Sequence, residues 1–185
     1  RSPEKNFNNE IGLPLTILGI PHSGRNIFAW VWWLKVAFWR AYIWRVNYPE
    51  VLVLEYGIDH PGDMDVLLGI AQPKIGVVTA MGTTPVHVEF FANPVVVAEE
   101  KAKLISALPA DGTAILNADD GIVRAMRQKT KARVMLFGHS SAADVRAEGY
   151  TIDLVDEDER KGMPQGISFE LLQGGKKVFV RLNGI

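Results

Sequence analysis

The chain has 185 residues, enough for one domain and few for two, and its 48% hydrophobic and 22% charged residues with 17 Gly and 10 Pro exclude a collagenous, low-complexity or wholly disordered chain. Lys and Arg together number 20 against 21 Asp and Glu, a formal charge of -1, so the uniform positive field on which non-specific nucleic-acid binding rests is missing, and no nucleic-acid partner is expected. With Cys 0, disulfides, thiolate nucleophiles and cysteine metal sites are removed together, which suits a cytoplasmic protein.

The start, RSPEKNFNNE, is polar, has no apolar h-region and no Met, so it does not read as a secretory signal. The other end stops at VFVRLNGI, a strand-like run, and the two ends together create the expectation of an internal segment of something longer. Residues 27–44, IFAWVWWLKVAFWRAYIW, hold all five tryptophans, Trp30, Trp32, Trp33, Trp39 and Trp44. The run is nearly long enough to cross a bilayer, but Lys35 and Arg40 would each cost about 2.5–3.5 kcal/mol at its centre, and a helix that does not span is predicted. On a helical wheel Lys35, Arg40 and Arg45 fall about 140° apart, so the cations ring the helix. Two readings stand side by side: a helix buried on several sides with snorkelling cations, and an interfacial helix that meets a membrane surface or a partner. Five indoles with Phe28, Phe38 and Tyr42 exceed what one helix can bury, so at least two tryptophans are expected to be exposed.

Beyond Tyr48-Pro49, VLVLEYG (51–57) reads as a parallel-type strand buried on both faces. DHPGD (59–63) is a turn, MDVLLGIA (64–71) a short helix, and IGVVTAMG (75–82) a second buried strand. Asn93-Pro94, an N-cap followed by Pro at the first helical position, opens a helix to about Leu108. TAILN (113–117) is a strand, Asp119 or Asp120 caps a helix to about Thr130, and ARVMLFG (132–138) is another strand. From Asp144 the pattern changes to DVRAEGYTIDLV, ISFELL, a turn at Gln173-Gly174-Gly175-Lys176 and KVFVRL, read as antiparallel hairpin strands at one edge. The predicted fold class is therefore α/β, a mainly parallel sheet with flanking helices and antiparallel strands at its C-terminal edge.

The common catalytic signatures GxxxxGK[ST], GxGxxG, GxSxG and HExxH are all missing from the sequence. What remains is an argument about strand ends, beyond which ligands collect in open parallel sheets. Glu55 ends one predicted strand, His87 lies just past the next, and Lys101 lies one to two turns into the following helix, so a carboxylate, an imidazole and an amine can converge on one edge. A hydrogen-bonded Glu55, a surface His87 and a solvated Lys101 satisfy the same spacing.

Several blocks carry a resemblance. NFNNEIGLPLTIL (6–18) resembles the Asn-rich stretch that follows the phosphate loop in Mur ligases of the D-alanyl-D-alanine-adding type, and LEYGIDHPGD (54–63) is similar to the glutamate-bearing strand end of that family. IGVVTAMGTTPVHVEFF (75–91), EEKAKLISALPADGTAILNADD (99–120) and VMLFG (134–138) continue in the family's order, and the Trp-rich segment, at about 27–46, looks like a helical insertion into a single, partial central domain spanning 1–185.

The resemblance implies a P-loop-NTPase-like fold and an ATP-dependent amide ligase of peptidoglycan precursor synthesis. Its substrates would be UDP-N-acetylmuramoyl-tripeptide and D-alanyl-D-alanine, joined through an acyl phosphate. By motif position Glu55 and His87 match magnesium ligands and Lys101 the lysine that becomes a carbamate, a change that turns a cation repelling Mg2+ into an anionic oxygen ligand. Asn117 and Asp119 match positions near the nucleotide, and Asn6, Asn8, Asn9 and His60 positions that meet substrate. The family's phosphate loop, its N-terminal UDP-binding domain and its C-terminal Rossmann-like domain are missing, so the chain alone is expected to be inactive. Tyr56, Ile58 and Thr84-Pro85 also depart from the usual pattern. Two other functions remain open: a non-catalytic module that uses the Trp-rich helix on a membrane or partner, and a Mur or folylpolyglutamate-synthase relative with another acceptor.

Overall fold

The computed structural model describes residues 8–21, 23–42, 48–81, 91, 93–154 and 164–183. The chain divides into two compact units, one of Arg1–Gln72 with His87–Lys103 and one of Pro73–Val86 with Leu104–Ile185.

In the first unit Asn9 opens α1 (Gly12–Leu18), its Oδ1 accepting from the amides of Ile11 and Gly12 at 3.3 and 2.8 Å, as expected of an Asx residue ahead of a helix. Asn26 does the same for α2 (Ile27–Tyr42), accepting from Ala29 N at 3.0 Å. Leu15, Ile20 and Ala37 form a buried cluster, with Leu18, Trp30 and Trp33 packed against it. Arg40 donates to the carbonyl of Gly19 at 2.8 Å and Tyr48 to that of Ile17 at 3.0 Å, which satisfies acceptors that α1 leaves unpaired at its C-terminus. The predicted helix 27–44 is thus present over Ile27–Tyr42, while Trp44 and Arg45 lie outside the described residues. Trp32 and Trp39 are exposed, as expected, together with Phe28 at 89%, Phe38 and Tyr42. The reading of a helix buried on several sides is corrected, because among the described residues the buried cluster takes only the stripe of Trp30, Trp33 and Ala37 from this helix.

The segment 51–57 also departs from expectation: it carries no strand. Val51 and Val53 are 67% and 60% exposed, so the run is not buried on both faces. Valine and leucine favour strands only where a neighbouring strand offers a ladder and a surface, and no strand among the described residues pairs with this one. α3 (Asp63–Ile70) and α4 (Pro94–Ser106) follow, the latter capped by Asn93 Oδ1 on the amides of Val95 and Val96. Met64, Leu67 and Val97 are almost fully buried and anchor these helices, each contributing about 1.5–3 kcal/mol.

The second unit holds the six described strands in the order β1 (Ile75–Val78), β2 (Thr113–Asn117), β3 (Arg133–Gly138), β4 (Val145–Leu154), β5 (Pro164–Gln173) and β6 (Lys176–Asn183). The first three pairings are parallel and the last two antiparallel, in agreement with the predicted fold class. β1 is shorter than read, is an edge strand among the described residues, and buries one face only, leaving Ile75 and Val77 exposed on the other. The predicted helix to about Thr130 is an α-helix α5 (Gly121–Ala125) that tightens into a 3-10 turn, Met126–Lys129. Ala114 and Leu116 on β2 and Val123 on α5 itself are fully buried. Gly174 and Gly175, at φ 55 and 78, supply the two left-handed residues that a tight β5–β6 hairpin turn needs.

Candidate functional site

In the first unit two distant blocks of sequence meet. Asn8 Nδ2 donates to Glu55 Oε1 at 3.2 Å, and the amide of Gly57 donates to the Asn8 carbonyl at 2.7 Å. An amide side chain therefore orients an exposed carboxylate and leaves its second oxygen to face outward from that bond. Tyr56, next in the chain, donates to the Ala71 carbonyl at 2.7 Å, and burial pushes its phenol above the usual value of 10.0. The hydroxyl thus ties this segment to the end of α3, which explains what a tyrosine does there.

The turn that follows is held by carboxylates. Asp63 Oδ2 accepts from the amides of Asp59 and His60 at 2.8 and 2.7 Å and lies 3.9 Å from His60 Nδ1. Glu100, only 4% exposed on α4, places Oε1 at 3.0 Å from the amides of both Gly62 and Met64. Its Oε2 pairs with Lys103 Nζ at 2.8 Å, and the same ammonium meets Asp65 at 2.6 Å. Hydrogen bonds that the Lys103 ammonium donates to Asp65 and then Glu100 hold its pKa above the usual 10.5. A buried carboxylate with two amides and a cation is satisfied, as a buried charge must be. Lys101 stands beside it in sequence, half-buried.

In the second unit Asn117, at the end of β2, donates to the Thr79 carbonyl at 2.7 Å and accepts from Asp119 N at 2.8 Å, so its amide joins the ends of β1 and β2. Asp119 receives the amides of His139 and Ser140 at 2.7 and 2.8 Å, and these bonds, His139 first, lower its pKa below 3.8. Gly138, at φ 153, leaves room for that carboxylate, since a Cβ there would stand 2.6 Å from Asp119 Oδ2. Asp120, and not Asp119, caps α5, accepting from Ile122 and Val123 with Oδ1 while its Oδ2 takes Met81 N at 2.7 Å.

Asn8 with Glu55, and Asn117 with Asp119, are brought together within their own units. Asn9 turns its side-chain oxygen to the amides of Ile11 and Gly12 at the start of α1, and His60 lies exposed on the turn. Asn6 and His87 fall outside the described residues. Glu55 does not end a strand of the sheet, which corrects the strand-end argument for it; the carboxylate is placed by Asn8 instead. Among the described residues no three His, Asp or Glu side chains group closely enough to hold a metal ion. Two clefts, of about 230 and 390 Å³, border the β5–β6 turn, and none of the candidate residues lines them. Glu100 and Lys103 were missed by sequence reasoning, because EEKAK reads as a solvated charge run. The signal was present: Glu100 is three residues after Val97 and four before Leu104, in the apolar stripe of α4.

Residues 43–176 match the family model of the Mur ligase middle domain. The chain belongs to the Mur ligase family through that domain. Among curated proteins it is similar to the UDP-N-acetylmuramoyl-tripeptide--D-alanyl-D-alanine ligase of Mycobacterium tuberculosis, 34% identical over 152 residues, 82% of this chain and 24% of the relative. The ligase of the same name from Bacillus subtilis is 29% identical over 119 residues, 64% of this chain and 20% of that one. The chain thus spans about a quarter of the length of the curated relatives it matches. Among solved structures, MurF from Acinetobacter baumannii superposes with a TM-score of 0.67 at 21% identity over 98% of this chain and 32% of its own. MurF from Thermotoga maritima, in complex with ADP, gives 0.59 at 19% identity over 99% and 39%. Both establish the fold.

Proposed function

We propose that the whole protein is a cytoplasmic ATP-dependent ligase that joins D-alanyl-D-alanine to UDP-N-acetylmuramoyl-tripeptide. The observation that carries this is the match of its middle domain to the family together with 34% identity to ligases of that name. A carboxylate is a poor acyl donor, and phosphorylation by ATP gives it a leaving group that the amine of the dipeptide can displace. Glu55, His87 and a carbamylated Lys101 would hold Mg2+. The donor chemistry suits it, since Glu55 offers a hard oxygen that Asn8 orients and a carbamate offers more. Bound there, the ion supplies positive charge against the phosphate oxygens. His60, on its pinned turn, and Asn8 are the residues we assign to substrate, and Asn117 and Asp119 shape the β2 end assigned to the nucleotide.

The test is ADP release by the full-length protein. Release that requires both the UDP-linked tripeptide and D-alanyl-D-alanine is expected, with Lys101→Ala inactive and partly restored by short carboxylic acids, and Lys101→Arg inactive. Release without the dipeptide, or with another acceptor only, would overturn the assignment.

A second reading, for α2, has its own observation. Between Ile11 and Pro49 the chain carries Arg25, Lys35, Arg40 and Arg45 and no acidic residue, and α2 exposes Phe28, Trp32, Phe38, Trp39 and Tyr42. Such a face suits shallow contact with an anionic lipid surface, with Lys35 snorkelling among the rings. No described helix is long and apolar enough to cross a membrane. Full-length protein should sediment with anionic vesicles and release with salt; equal binding to neutral vesicles, or none, removes this reading.

A further inference from the structure

We propose that Glu100 is a positioning residue for the reaction assigned above: it fixes the Asp59–Gly62 turn, with His60 on it, to the helix that carries Lys101. This rests on the functional reading of Lys101 and His60. The turn closes on itself through Asp63, which takes the amides of Asp59 and His60. Glu100 reaches it from a different element and takes the amides of Gly62 and Met64 with one oxygen, while the Asp63 amide between them donates to the His60 carbonyl. Its other oxygen is locked by Lys103, which in turn grips Asp65 on α3, so α4 is joined to the start of α3 by two links, each through a charged side chain.

The chemistry of the choice is informative. An apolar side chain in this buried place would pack at no cost in charge, yet it would leave the Gly62 and Met64 amides without this acceptor. Glu100 and Lys101 are consecutive on α4, their Cα atoms about 3.8 Å apart. Thus the turn is anchored at the point on α4 where its position relative to Lys101 is best defined. Since a misplacement of about 1 Å can cost about 100-fold in rate, an anchor at that point acts on turnover more than on folding.

The experiment compares full-length wild type with Glu100→Asp, Glu100→Gln and the core control Leu67→Ala, by ADP-release kinetics and by hydrogen exchange over 59–66. Glu100→Asp keeps the charge and retracts the carboxylate by one methylene. It is expected to lower kcat at least about tenfold with KM for ATP unchanged, and to speed exchange at Gly62 and Met64. Glu100→Gln keeps one oxygen for the two amides but turns an NH2 toward the Lys103 ammonium, so in both readouts it should fall between wild type and Glu100→Asp. Leu67→Ala should lower the melting temperature and leave kcat of the folded protein unchanged. If Glu100→Asp turns over like wild type, or loses only what its folded fraction loses, the proposal is wrong. Should wild type release no ADP, the functional reading fails by itself. The exchange data then judge the anchor alone: unchanged exchange at Gly62 and Met64 in Glu100→Asp overturns it, and faster exchange there, smaller in Glu100→Gln, upholds it.

Discussion

Between Thr113 and Leu116 the backbone is flanked by strands on both sides, β1 and β3, matched residue by residue, whereas between Asp59 and Met64 it is satisfied by carboxylates that arrive one at a time from Asp63 and Glu100. A ladder distributes its hydrogen bonds over many residues, so no single polar side chain decides it, and what it needs is the buried surface beneath. A carboxylate anchor concentrates two or three bonds in one side chain. The first arrangement should fail through its core and the second through its polar groups. A fold that uses both can be firm in its sheet while keeping a separately adjustable turn beside its candidate chemistry.

That contrast can be broken most severely at Leu116, which is fully buried on β2. Leu116→Ala should cost about 2–5 kcal/mol and lower the melting temperature by about 2–4 °C for each kcal/mol; a loss well under 1 kcal/mol would mean that the sheet does not depend on its core. Next comes Asp120, whose two oxygens cap α5 and hold Met81. Denaturant unfolding of Asp120→Ala should show about 1–2 kcal/mol of destabilisation, more than an ordinary cap because the Met81 amide loses its acceptor too.

Asp119 sharpens the comparison through pH. Its pKa is lowered in the folded chain, first by the His139 amide, so its contribution is complete above the unfolded value of 3.8 and is lost as pH falls through the lower folded value. Exchange at His139 and Ser140, corrected for its intrinsic rate, should therefore rise only below pH 3.8, and Asp119→Asn should show faster exchange there at neutral pH; protection that persists below the folded value would assign these amides another acceptor. The smallest effect belongs to the exposed pair Lys74–Asp111, 2.9 Å apart. Lys74→Ala should leave the melting temperature unchanged within error, and a clear drop would show that a solvated ion pair matters more here than such pairs usually do.

Periodic and punctuated parts of the chain were legible in the sequence. Asn93-Pro94 announces α4, the short apolar run of TAILN is β2, and Gln173-Gly174-Gly175-Lys176 marks the hairpin, because each carries its cause within a few residues. VLVLEYG misled because its strand character needs a partner that sequence does not supply. The candidate site divides in the same way. Motif blocks located Glu55, His60 and Lys101, but that Asn8 reaches Glu55 across 47 positions, and that Glu100 reaches Gly62 across 38, is decided by packing of distant segments. Glu100 hid in a run of charges, where only its place in the apolar stripe of α4 marked it as buried.

The strand order of the sheet has a kinetic consequence. Spatial order and chain order coincide from β1 to β6, so every strand pairs with its neighbour in sequence and no described pairing skips over an intervening strand. Loop closure is then least costly at the β5–β6 turn, where two residues join the strands, and most costly between β1 and β2, which need α4 folded between them. The sheet can zip from its antiparallel end toward its parallel one, so that β2, with Asn117 at its end and Asp119 just beyond, is added to a template that already exists.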